Sequence, residues 1–110
     1  MSIYRVFTDS EGESHIEELD LGEQASVRSF MKVSEAGIHK FQELRSMDFH
    51  PLPERRLIIH LEGAVKIGVS DGSTQIFGPG DARLMEDTSG KGHPHQDLPP
   101  VIQAMIVLGD

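Results

Sequence analysis

Six histidines and no cysteine set the chemistry open to this chain. His50, His60, His93 and His95 fall in one half of the sequence, with Arg55 and Arg56 beside them. A neutral imidazole binds divalent metals and moves protons near neutral pH. An arginine does neither: it keeps its charge, cannot ligate a metal, and grips carboxylate or phosphate with two prongs. The lack of cysteine excludes disulfides, thiol nucleophiles and cysteine-held zinc. No Ser/His/Asp order can be assigned.

Side chains of a strand repeat every second residue, and this decides which groups can meet. If Arg56 faces a pocket, Ile58 and His60 face it too. The same rule puts His93 and His95 of "GHPH" on one face. A pocket holding His50, His60, His93 and His95 is therefore geometrically open, and three or four imidazoles would suit Zn²⁺, Ni²⁺ or Fe²⁺. Alternatively each histidine makes its own hydrogen bond, and Arg56 pairs with an internal acid, because a buried arginine needs an acceptor. Without metal, His60 or His93 could serve as general base with Arg56 stabilising an oxyanion. Glu86 and Asp87 either orient a histidine or end a strand. His39 is a further candidate, whereas His15 lies in an acidic run and is expected at the surface. "TSGKG" lacks the spacing of a phosphate-binding loop. It reads instead as the connection that delivers His93.

The elements that must position these groups are strands. Period-2 alternation dominates. "IYRVFT", "SVRSFMKV", "IHKFQELR", "LIIHLE", "AVKIGVS", "STQIF", "ARLME" and "VIQAMIVL" read as strands, with Asp71-Gly72 as a hairpin turn whose central residues both take φ > 0. "GPGD" (78–81) is a second turn. "HIEELDLGEQ" is expected to coil or loop. The proline of "GHPH" is expected to disrupt strand pairing, and "DLPP" to form a rigid extended connector. Short strands between turns predict an all-β sandwich or barrel.

One hundred and ten residues make one domain. It is divided here into an N-terminal strand and acidic loop (1–25) and a core (26–110). The net charge of −8 argues against nucleic acid, which needs a basic surface. No apolar run is long enough for a membrane span. "MSIYRV" lacks the pattern of a signal peptide, so a cytoplasmic location is expected. "VIQAMIVL" is apolar on both faces, so one face needs cover from a second sheet or another subunit.

"LEGAVKIGVSDG", "FGPGD" and "EDTSGKGH", in that order, resemble the two motifs and the Pro-Gly-Asp turn of small single-domain bacterial cupins of the RmlC-like superfamily. The match is good over residues 48–93. It implies a cupin-like jelly-roll β-barrel with a central pocket, and a homodimer. The family's metal ligands are two histidines one residue apart, a glutamate and a later histidine. Here His50 matches the first histidine, Leu52 stands at the second, Arg56 occupies the glutamate position, and His93 lies near the last. The scaffold is kept and the ligand set is degenerate.

The expectation is a barrel that binds a small acidic metabolite through Arg56, Ile58 and His60. A divalent metal would sit on His50, His93 and His95. The alternatives are a metal-dependent enzyme of dioxygenase or isomerase type acting on a small oxygenated metabolite, and a non-catalytic sensor or scaffold dimer.

Overall fold

A computed structural model describes residues 2–20, 22 and 30–109. Eight strands run β1 (Ile3–Thr8), β2 (Ser14–Glu18), β3 (Val33–Phe41), β4 (Ser46–His50), β5 (Arg56–Gly68), β6 (Thr74–Phe77), β7 (Ala82–Glu86) and β8 (His93–Leu108). The described residues contain no helix, and hence none long and apolar enough to cross a membrane. The all-β expectation holds.

The hydrogen-bonded order is β2-β1-β7-β5-β8-β3, with β6 added to β5 and β4 to β8. The two long strands belong to both halves of this sheet. The first half of β5 pairs with β7 and with the end of β8, Arg56 opposite Met85 and Val107. Its second half pairs with β6 and with the start of β8, Val65 opposite Phe77 and Asp97. Register breaks fall between His60 and Ala64. Alternation changes parity across them: Ile58 and His60 are buried before the break, Val65, Ile67 and Val69 after it. A bulge bends a strand and turns its side chains. The two halves thus close on each other, and Tyr4 of β1 meets Phe77 of β6 edge to face at 5.3 Å. Val6, Ile58, Val65, Ile67, Val69, Phe77, Met85 and Val101 form the apolar core between them.

Gly63 makes this closure possible. Its φ is +76°, and a Cβ there would lie 2.0 Å from the carbonyl oxygen of Pro100. Both the left-handed backbone and the absence of a side chain are required.

Several expectations change. "LIIHLE" and "AVKIGVS" are one continuous strand. β8 runs unbroken through His-Pro-His and Leu-Pro-Pro, although the Pro99–Pro100 bond is cis. A proline lacks only its own N–H, and the neighbouring positions still pair: His95 with Ile67 and Leu98 with Ala64. Part of "HIEELDLGEQ" is β2, an edge strand paired with β1. β4 had no signal in the sequence strong enough to mark it. The first half of "SVRSFMKV" (26–29) lies outside the described residues; of the second half, Phe30 to Lys32 are not strand and Val33 opens β3. The hairpin at Asp71-Gly72 is present, but only Gly72 has positive φ. Gly72 N donates to Val69 O, Val69 N to Ser73 O, and Ser73 N to the Asp71 carboxylate. This is the longer hairpin with a glycine bulge, which needs just one left-handed residue.

Gly63→Ala should destabilise the protein far more than Gly72→Ala. Both positions have positive φ, but the Gly72 Cβ would meet open space. Urea unfolding should show a loss of about 1 kcal/mol at Gly72 and at least about 2 kcal/mol at Gly63.

Candidate functional site

The inner face of the closed sheet is not wholly apolar. His60, Arg83, Asp87, His93, Asp97 and Gln103 are each at most 2% exposed.

His60 is held first by its backbone. "GPGD" forms a turn in which Asp81 N donates to Gly78 O, with Pro79 and Gly80 at the central positions and Gly80 at φ +89°. Proline then glycine is what a type II turn demands. The same turn clamps β5 from both sides: His60 N donates to Asp81 O, and Gly80 N donates to His60 O, each at 2.9 Å. The imidazole stacks on Phe77 at 5.6 Å between centroids. Its Nε2 accepts a hydrogen bond from Arg83 Nε at 3.0 Å. Its Nδ1 is buried with no partner. Burial, and then the Arg83 charge, push the His60 pKa down to about 3. The ring is neutral at pH 7, and with Nε2 accepting, the proton is on Nδ1.

Arg83 comes from β7, between Ile58 of β5 and Tyr4 of β1. Among the described residues it makes no ion pair; His60 is its hydrogen-bond partner, and its guanidinium carbon lies 5.8 Å from the Phe77 ring centroid. Burial pulls its pKa down to about 9, so it keeps its charge at neutral pH. The acids whose fields reach it, Asp97 and Asp87, are engaged elsewhere. Asp97 takes both Arg45 and His95. Burial opposes the Asp97 charge, but Arg45 and His95 prevail and hold its pKa below the usual range. Asp87 binds His93 Nδ1 at 2.5 Å through one oxygen, while its Oδ1 is buried without a partner.

The residues singled out by sequence are distributed as follows. Ile58 and His60 are inside, Ile58 in the apolar core. Arg56 is partly buried and bound by Glu54, with Nη2 2.6 Å from Oε1. His50 and His93 lie close, their ring centroids 4.9 Å apart. Gly92, at φ +73°, permits that approach, since a Cβ there would lie 1.9 Å from His50 O. His50 Nδ1 contacts Asp48 O and His93 Nδ1 contacts Asp87, which leaves both Nε2 atoms available. His95 turns its Nε2 to Asp97; burial lowers its pKa despite that bond. His39 is exposed, and His15 is partly exposed and paired with Asp9. Glu86 binds Arg5 and Arg55. Among the described residues, no three His, Asp or Glu side chains are placed to hold a metal ion.

Arg83, Asp97 and Gln103 were not found by sequence. Alternation in "ARLME" puts Arg83 and Met85 on one face, which was the available signal. Gln103 shares a face with Val101 and Met105 in the same way.

No protein-family model matches this chain. No curated protein sequence matches it either. A solved structure that aligns with it is that of a putative ethanolamine utilization protein Q from Salmonella typhimurium LT2. The identity is 13%, covering 98% of this chain and 94% of that one, with a TM-score of 0.40. A fit this loose says nothing of the site's chemistry.

The His60 shift fixes the sign of a pH dependence. Between pH 6.5 and 3 the unfolded chain binds a proton that folded His60 does not. Stability is therefore full above pH 6.5 and falls as the pH drops, by up to about 1.4 kcal/mol per unit. His95 adds in the same direction. His60→Gln, whose amide oxygen can still accept from Arg83, should remove about one proton from this slope in urea unfolding between pH 7 and 4.5.

Proposed function

We propose that this chain is a cupin-like barrel that binds a small carboxylate between its two half-sheets, with Arg83 as the anchor. The observation that carries this reading is a buried guanidinium with no carboxylate partner among the described residues. A buried charge is costly unless paired. An incoming carboxylate supplies the missing charge and two acceptors in the geometry that guanidinium prefers. Asp97 is held by Arg45 and His95, and Asp87 gives one oxygen to His93; neither makes an ion pair with Arg83. Arg56, the arginine expected to act, is engaged by Glu54, so the role falls to Arg83. His60 fixes the guanidinium through Nε, which leaves its Nη groups for the ligand. The reading is one of binding. It assigns no bond-making step and needs no metal.

Thermal and urea unfolding in the presence of acetate, lactate and succinate test it. A ligand at a hundredfold excess over its Kd stabilises by about 2.7 kcal/mol. Arg83→Met should abolish that stabilisation. Without ligand the variant loses an unpaired buried charge but also the hydrogen bond to His60 Nε2, so it should fall no more than about 3 kcal/mol below the parent. Arg56→Met should keep the response. If Arg83→Met still responds to carboxylates, or if no carboxylate stabilises the parent, the reading is wrong.

A further inference from the structure

On the facing strands β5 and β8 two buried polar groups of opposite sense lack partners. His60 Nδ1 is a buried donor, since Nε2 accepts from Arg83. Gln103 Oε1 is a buried acceptor. The two residues are directly opposite each other on β5 and β8, in register and both on the inner face. Side chains so paired have Cβ atoms about 4.5–5.5 Å apart. His60 has little freedom to move toward Gln103: its backbone is clamped by the 78–81 turn and its ring lies on Phe77.

One atom can satisfy both groups if it accepts one hydrogen bond and donates another. A hydroxyl oxygen does this. A ketone or carboxylate oxygen would answer His60 and leave Gln103 unmet. An ammonium group would answer Gln103 and oppose the His60 N–H. We infer that the carboxylate held by Arg83 also carries a hydroxyl group, whose oxygen accepts from His60 Nδ1–H and whose proton goes to Gln103 Oε1. The ligand class is a small hydroxycarboxylate. This rests on the carboxylate reading above and narrows it. The selectivity follows from the penalty of leaving both buried groups unpaired when the hydroxyl is missing.

The test is calorimetric titration of the full chain with lactate, 3-hydroxypropionate, pyruvate and propionate, and with malate against succinate. At least one hydroxy acid should bind at least about tenfold more tightly than its deoxy and keto counterparts. Gln103→Met keeps the side-chain volume and removes the acceptor; it should bring that preference to within about twofold while propionate binding persists. Gln103→Leu replaces it should the methionine variant fail to fold. Equal affinities for hydroxy, keto and deoxy acids would overturn the hydroxyl inference and leave the carboxylate reading standing, with water alone spanning the pair. A preference that survives Gln103→Met would place the hydroxyl elsewhere and also overturn it. Failure of every acid to bind would remove both.

Discussion

The fold depends on one backbone approach that no side chain could survive. Gly63 lies against the Pro100 carbonyl at the point where β5 and β8 pass from one half of the sheet to the other. Beyond that point each long strand has new neighbours: β6 in place of β7, β4 in place of β3. Because the sheet turns over there, residues distant along it come to face each other. Phe77 of the small half supports both Tyr4 and His60 of the large half. The apolar core and the polar cluster both follow from that closure.

Within the cluster, polar groups are arranged in separate local sets, and three buried atoms are left without partners: His60 Nδ1, Asp87 Oδ1 and Gln103 Oε1. Arg45, Asp97 and His95 form one set, and His93 with Asp87 another. Arg83 and His60 form the third, and it differs in having no acid. Networks of this kind are costly when half satisfied, so native interiors rarely keep them without a use. Besides Asp87 Oδ1, the unmet groups are a cation, a donor and an acceptor on the adjacent strands β7, β5 and β8. Together they specify a complementary solute by charge and hydrogen-bond sense.

The sequence revealed strands more readily than it revealed the site. Alternation marked the second half of β5, because a strand with one face buried must repeat every second residue; apolar runs bounded by turns marked its first half and β7. It did not mark β4, whose Ser46–His50 is exposed at all but its last residue and so carries no pattern. Nor did it foresee the parity change near Gly63, since a bulge leaves only a glycine as its sign. Arg56 drew attention by its place in a motif resemblance. Arg83 sits in a run where Ala82, Leu84 and Met85 are as buried as it is; no local contrast distinguishes an arginine there from a surface one. Gln103 was likewise hidden in an apolar run. What singles these residues out is a missing partner, which becomes visible only when the neighbours are placed.

β1 is joined to β7 in parallel, with Ile3 beside Ala82 and Phe7 beside Glu86, whereas the other pairings are antiparallel. During synthesis the first strand can form only its hairpin with β2, and an isolated hairpin is marginal in water. Its inner neighbour emerges from the ribosome roughly 4–16 s later at typical elongation rates. Val6, a core residue, waits through that interval. β1 is thus made well before the strand it docks on, and a nascent protein halted before residue 86 would present that hairpin with no place to pack.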